Sequence, residues 1–197
     1  MKTVSKYFFL AVAACLSLTA CESMMDLQPE GATKTDALKQ DAYNKIPANA
    51  AAEINAIYAQ MIELAGGTGN TSNHNDFGIA SCLMLLESEG QDWIGPNTGY
   101  NWFAYSDFYA RNYNAAVNLL MWNTYYKTIA ACNMVCASTD PETTNPDLMA
   151  NLGQARAVRA YCYSILAQLY QFTYNAENAS KPCVPIVHES LTAEQQA

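Results

Sequence analysis

The residues best suited to chemistry lie in one stretch rich in aromatic and amide side chains, Asp92 to Tyr109. Aromatic faces stack on the C–H patches of sugar rings, and asparagine amides donate and accept hydrogen bonds with hydroxyl groups. This composition predicts glycan recognition by Trp93, Asn97, Tyr100 and Asn101. In the alternative interpretation several of the rings pack the stretch onto the helices, and we assign Phe103, Phe108 and Tyr109 to that core role.

Motifs for other kinds of chemistry are incomplete. His74 and His188 have no serine or cysteine partner in a recognisable nucleophile motif, and two histidines without a Cys-x-x-Cys fail the spacing of a zinc site. A carboxylate pair for glycoside hydrolysis stays open, because nothing singles out two of the 18 acidic residues. The residues alone thus single out no catalytic mechanism, and we expect no cofactor and no metal.

Two polar segments between the first helices invite functional interpretations. The run Gly66 to Asn70 lacks the Gly-Lys-Ser/Thr of a phosphate loop, so we interpret it as a flexible connector. Asn73, Asn75 and Asp76 offer oxygen ligands for a hard cation but lack the acidic spacing of a calcium loop. A turn in which Asp76 caps the following helix is the favoured interpretation.

Composition excludes two broad classes of protein. Of 197 residues, 51% are hydrophobic and 14% are charged, which is incompatible with a solvated disordered chain. The net charge of −8 argues against nucleic acid as a partner, since phosphate binding depends on Lys and Arg. An acidic, weakly charged protein is better suited to neutral polar ligands.

The N-terminus has the pattern of an export signal. Lys2 and Lys6 precede an apolar stretch, Tyr7 to Leu18, that is too short to span a bilayer. It leads into Leu18-Thr19-Ala20-Cys21, which resembles the lipobox of bacterial lipoproteins. We expect a signal peptide at residues 1–20 and lipidation of Cys21, and removal of the two lysines would leave a net charge of −10. Residues 21–47 would form a lipidated tether into the first packed helix.

Apolar residues recur at helical spacing in the rest of the chain. The pattern predicts four helices, at Ala48 to Ala65, Asp76 to Glu89, Tyr113 to Ala137 and Asp147 to Phe172. No stretch shows sustained strand alternation, so the fold class is all-α, built from antiparallel helix pairs. The last two helices, joined by a short proline-bearing loop, have the size of a tetratricopeptide-like hairpin.

Five cysteines would remain in the mature chain, at positions 82, 132, 136, 162 and 183. An odd number cannot all pair, although an exported protein is permitted disulfides. Cys132 and Cys136 are four residues apart on a predicted helix and share a face. We expect both to be buried as small apolar side chains, with a bridge as the alternative.

The order of motifs resembles the SusD/RagB family of outer-membrane lipoproteins. The resemblance is carried by Trp122-Asn123-Thr124-Tyr125-Tyr126-Lys127-Thr128-Ile129 with Cys132-Asn133, by Gly153-Gln154-Ala155-Arg156-Ala157-Val158-Arg159-Ala160-Tyr161-Cys162-Tyr163 with Leu169-Tyr170, and by Pro182-Cys183-Val184-Pro185-Ile186-Val187. The last of these resembles a proline-bearing strand of the family. The lipobox with Leu27-Gln28-Pro29 resembles the family's mature start.

The resemblance implies a non-enzymatic, surface-exposed glycan-binding lipoprotein of the outer membrane on a tetratricopeptide-like scaffold. Its partners would be an oligosaccharide or other nutrient and a TonB-dependent transporter of the SusC-like kind. Residues 48–180 would form the N-terminal helical domain, and residues 181–197 a connector cut short before further helices. Arg156 and Arg159 would pair with carboxylates or bind backbone in the scaffold. A helical adaptor that docks on a transporter without a ligand site is the competing function.

Overall fold

The computed structural model describes residues 36–88, 90, 92, 99, 102–103 and 112–189. These residues contain five helices: α1 (Asp36–Lys45), α2 (Ala48–Gln60), α3 (Ile79–Ser88), α4 (Ala116–Ser138) and α5 (Pro146–Tyr170). No β-strand occurs among the described residues, and the prediction of an all-α fold is confirmed.

The two longest helices, α4 and α5, form the hairpin that the sequence predicts. Their pairing is antiparallel, because Trp122 near the start of α4 contacts Tyr170 at the end of α5, and Asn133 contacts Arg159 further along. The turn between them stops at Asn145, whose side-chain oxygen accepts hydrogen bonds from the first backbone N–H groups of α5 at 2.9 and 3.3 Å. Pro146 follows at the first helical position, where its missing N–H is not needed.

One hydrophobic core joins α2, α3, α4 and α5. Its largest fully buried members, all on the inner faces of the helices, include Leu85, Leu120, Tyr125, Ile129 and Leu166. Burying an aliphatic side chain of this size contributes about 2 kcal/mol, so the core supplies most of the drive to fold. A smaller cluster of Tyr43, Ala50 and Leu148 packs α1 against α2 and the start of α5.

Helix α1 lies within the segment that the sequence analysis describes as a tether. Its polar sequence has little helical periodicity, and the contact of Tyr43 with the small cluster is what holds it. Tertiary packing thus creates a helix that the local pattern does not indicate.

Four of the predicted helix ends extend two to five residues too far. Helix α2 ends at Gln60 instead of Ala65, because the chain turns and Ala65 adopts a left-handed backbone with φ of 62°. Helix α3 begins at Ile79 instead of Asp76, and α4 begins at Ala116 instead of Tyr113. Helix α5 ends at Tyr170, two residues before the predicted Phe172.

Candidate functional site

One buried carboxylate holds the loop between α2 and α3. Asp76 is fully buried, and its side-chain oxygens accept hydrogen bonds from the backbone N–H of Gly67 at 3.2 Å and of Thr68 at 2.7 Å. The hydroxyl of Thr68 donates a third bond to the same carboxylate, at 2.7 Å. The prediction that Asp76 caps α3 is wrong, since its oxygens are directed at the preceding loop. Charge-assisted bonds of this kind are about twice as strong as neutral ones.

Two side chains of helix α4 also bind this loop. Asn123 donates its amide N–H to the carbonyl oxygen of Gly67 at 3.1 Å, and the Lys127 ammonium donates to the carbonyl of Gly66 at 2.5 Å. A Cβ on Gly67 would lie 2.5 Å from the Thr124 hydroxyl oxygen, so glycine is required for this approach. Three side chains, those of Asp76, Asn123 and Lys127, thus bind residues 66–68, which the sequence analysis interprets as part of a flexible connector.

The loop between α2 and α3 contacts Trp102, one of the described residues of the aromatic stretch. The rings of His74 and Trp102 stack with centroids 5.3 Å apart at an interplanar angle of 25°. Asn75 donates its amide N–H to the carbonyl oxygen of Trp102 at 3.2 Å. The next residue, Phe103, packs against the main core, as predicted. We call the surface formed by His74, Asn75 and Trp102 the loop anchor.

The loop anchor combines the two types of group that bind sugars. Trp102 is half-buried, and Asn75 places an amide beside it. Aromatic faces and amides together bind neutral polyols. The carboxylate of Asp76 is already occupied by the backbone and hydroxyl donors of the loop. An aromatic ring and an amide in this arrangement can stack on and hydrogen-bond with a neutral ligand.

The four residues predicted to contact glycan, Trp93, Asn97, Tyr100 and Asn101, lie outside the described residues, as do Phe108, Tyr109 and the lipidation candidate Cys21. Asn101 directly precedes Trp102 in the chain, which places the loop anchor next to the predicted site in sequence. The sequence analysis missed the pairing of Trp102 with His74, because the two residues are 28 positions apart and no local pattern connects them.

Helices α4 and α5, which carry the motifs of the family resemblance, also bind the segment after α5. Tyr126 donates its hydroxyl to the carbonyl oxygen of Pro185 at 2.8 Å, and Asn133 donates its amide to the carbonyl of Val187 at 3.1 Å. Tyr163 both donates to Val187 O and accepts from Val187 N. We call these contacts, with the Arg159–Glu189 pair described next, the clamp.

Arg159 completes the clamp through an ion pair. Its guanidinium donates to Oδ1 of Asn133 at 2.7 Å and to the carboxylate of Glu189. Burial alone would raise the pKa of Glu189, but its backbone hydrogen bond and Arg159 outweigh burial and hold that pKa below its usual value. Arg159 thus has the scaffold role that the family resemblance implies, and Arg156 lies close enough to hydrogen-bond with the Cys136 thiol.

The clamp also corrects the expected strand at residues 182–187. This segment forms no strand with any described residue, because Pro182 and Pro185 lack N–H donors and the segment's bonds go to side chains of α4 and α5. Between the segment and α4 lies a cavity of about 390 Å³, which is lined by Tyr126, Ile129, Ala130, Asn133, Met134, Ala137, Val187, His188 and Glu189.

The described cysteines form no disulfide with one another. Cys82, Cys132, Cys136 and Cys162 are buried, which confirms the expectation for Cys132 and Cys136, whereas Cys183 is exposed. Burial raises the pKa of the Cys82 and Cys162 thiols to about 12 and that of Cys132 to about 11. These thiols are therefore inert packing groups at neutral pH.

The described residues contain no candidate metal cluster and no candidate membrane-spanning helix. No group of three or more His, Cys, Asp or Glu side chains there is arranged to hold a metal ion. None of the helices in the described part of the chain is long and apolar enough to cross a bilayer.

Comparison with known proteins places this helical, loop-bearing scaffold among ligand-binding proteins. A family model named SusD-like_3, described as starch-binding and associating with the outer membrane, matches residues 36–196. The chain belongs to this SusD-like family. No curated protein and no solved structure matches at a significant level.

Proposed function

We propose that this protein is a lipid-anchored glycan-binding protein of the outer membrane, facing the cell surface. It captures a neutral oligosaccharide and passes it, uncleaved, to a TonB-dependent transporter of the SusC-like kind. The observation that carries the proposal is the family match, which spans all five helices and is described as starch-binding with outer-membrane association.

The loop anchor supports a glycan as the ligand. Trp102, which is stacked on His74, directly follows Asn101 in the sequence. The loop between α2 and α3, which carries His74, is restrained by hydrogen bonds with Asp76, Asn123 and Lys127. A rigid aromatic surface binds with a smaller loss of conformational entropy than a mobile one.

The anchor is proposed from the N-terminal sequence. Lys2, Lys6 and the apolar stretch would direct export, and acylation of Cys21 would leave the helical body tethered to the membrane. A Cys21→Ser variant tests this step by cell fractionation and metabolic labelling with a palmitate analogue. We expect the variant to lose the label and to leave the membrane fraction, whereas retained label would contradict lipidation at Cys21.

A glycan array tests the binding function directly. We expect the full chain to bind at least one class of neutral glycan, and we expect Trp93→Ala to weaken that binding. Capture of a TonB-dependent transporter by the tagged protein, measured in parallel, separates glycan binding from the adaptor function. Retained capture without binding to any glycan would favour the adaptor, and hydrolysis of a bound glycan would contradict a non-enzymatic role.

A further inference from the structure

The end of α5 presents two exposed aromatic rings outside the loop anchor and the clamp. Phe172 is 60% exposed and Tyr174 is 86% exposed. Large apolar rings that are kept in water on a surface mark binding sites when polar partners surround them. Here the neighbours are the amides of Gln168 and Gln171, which line one cavity of about 390 Å³ together with both rings.

The segment that carries these rings is ordered by its own hydrogen bonds. The backbone N–H of Asn178 donates to Oδ1 of Asn175 at 2.7 Å, and the Asn178 amide donates to the carbonyl oxygen of Thr173 at 2.9 Å. Lys181 N–H donates to the carbonyl of Asn178 at 3.0 Å. These bonds fix the turn next to Phe172 and Tyr174, so little entropy remains to be lost on binding.

Phe172 is also supported from one side. The Lys181 ammonium lies 4.7 Å from the centroid of the Phe172 ring, and it is 3.5 Å from Oε1 of Glu177. A cation over one ring face orients the ring. The ring's remaining exposed surface is what a ligand could cover.

The cavity walls favour an uncharged, hydrogen-bonding ligand. All of its lining residues are neutral: Ala167, Gln168, Gln171, Phe172, Thr173 and Tyr174. The cavity at the clamp, by contrast, has Glu189 in its wall. The side-chain oxygen of Gln171 is buried without a hydrogen-bond partner, while its amide nitrogen donates to the carbonyl of Lys181 at 3.4 Å. A buried acceptor without a partner costs stability, and a rotation of the Gln171 amide into the cavity would allow a ligand hydroxyl to donate to it.

We propose that this cavity with Phe172 and Tyr174, the α5 platform, is a second saccharide-binding site. The rings stack on the apolar face of a neutral sugar residue, and Gln168 and Gln171 hydrogen-bond with its hydroxyls. The inference rests on the proposed glycan-binding function, because the ligand is a further stretch of the same polysaccharide. Two contacts on one long chain raise its apparent affinity above that of either contact alone.

Affinity electrophoresis tests the α5 platform with the full chain. The wild type and its variants are run in native gels that contain amylopectin, xyloglucan or galactomannan, and retardation gives the dissociation constant for each polysaccharide. We expect Tyr174→Ala to weaken binding roughly 3- to 10-fold, the range for loss of one aromatic stacking contact. Tyr174→Phe keeps the ring and should retain most of the wild-type retardation.

Matched variants separate the possible outcomes. Met149→Ala removes an exposed apolar side chain at the other end of α5 and should behave as wild type. If Tyr174→Ala is retarded as strongly as the wild type while Trp102→Ala loses retardation, the α5 platform is overturned and the proposed function is left intact. If Tyr174→Ala is retarded as strongly as the wild type but captures less transporter, this surface is a protein interface and the proposal is overturned. No retardation of the wild type in any gel would overturn both.

Discussion

Tyr163 and Val187 exchange two hydrogen bonds: the Tyr163 hydroxyl donates to Val187 O at 2.8 Å and accepts from Val187 N at 2.7 Å. A single side chain thus satisfies both backbone groups of a residue that has no strand partner among the described residues. This contact fastens the segment after α5 to the helical hairpin.

Removal of the Tyr163 hydroxyl should destabilise the protein. Tyr163→Phe keeps the ring but leaves the N–H of half-buried Val187 without its acceptor, while Val187 O keeps the bond from Asn133, and we expect a loss of about 1–3 kcal/mol in the free energy of unfolding. Denaturant titration followed by circular dichroism measures the loss. Tyr113→Phe is the control, because Tyr113 is 96% exposed. Equal stability of the two variants would contradict the clamp.

The Arg159–Glu189 pair should make stability depend on pH. The folded state holds the pKa of Glu189 below its usual value, so the unfolded chain binds a proton more readily as pH falls. The stabilisation is complete above the ordinary glutamate pKa, near 4.3, and is lost as pH falls through the lower folded value. The difference in unfolding free energy between wild type and Glu189→Gln should therefore be greatest at pH 6–7, on the order of 1 kcal/mol, and should shrink towards pH 3.

Glu177→Gln is the matched control for this experiment, since Glu177 pairs with Lys181 in an exposed position. That substitution should change the unfolding free energy by less than about 0.5 kcal/mol at any pH. A difference between wild type and Glu189→Gln that stays constant from pH 7 to pH 3 would contradict the assigned ion pair.

Loss of the Asp76 carboxylate should loosen the loop anchor and the fold together. Asp76→Ala leaves the N–H groups of Gly67 and Thr68 without their acceptor in a buried site, and we expect a cost of about 2–4 kcal/mol. Thermal and denaturant unfolding measure it. Asp41→Ala, which removes a surface pair with Lys45, should cost less than about 1 kcal/mol. Comparable effects of the two substitutions would show that the Asp76 contacts are not formed.

Two glycine substitutions should have opposite signs. A Cβ at Gly67 meets the Thr124 hydroxyl at 2.5 Å and Leu120 Cδ1 at 2.7 Å, so Gly67→Ala should destabilise by about 1–3 kcal/mol. A Cβ at Gly153 meets no atom within 4 Å, and Gly153→Ala within α5 should stabilise by up to about 1 kcal/mol. The denaturation midpoints of the two variants check the signs, and a stable Gly67→Ala would contradict the close approach of this loop to α4.

Much of the helical fold could be predicted from sequence, because the spacing of apolar residues within each helix indicates it. Apolar spacing indicated α2 to α5, and Asn145-Pro146 stands at the observed start of α5. Helix ends were less predictable, since the turn after α2 depends on Gly78, whose φ of 65° and position against Met61 O exclude a side chain. Helix α1 depends on distant packing of Tyr43 that no local pattern encodes.

The contacts of the loop anchor could not be predicted from the sequence, because they too join residues that are distant in the chain. Asp76 looked like a helix cap, but its partners are eight and nine residues earlier, and Trp102 meets His74 across 28 residues. Composition predicts the chemistry of the aromatic stretch, because residue types can be read without positions. The roles of Trp93, Asn97, Tyr100 and Asn101 stay predictions.

Isothermal titration calorimetry with the oligosaccharide that binds most strongly in the glycan array tests the central claim most directly. We predict measurable binding by the wild type, a dissociation constant about 10-fold weaker for Trp102→Ala, and little change for Trp122→Phe, which alters a tryptophan packed on Tyr126 and Tyr170 instead. An unchanged dissociation constant in Trp102→Ala would contradict glycan recognition at the loop anchor, and absence of binding by the wild type to every neutral glycan tested would contradict the proposed function itself.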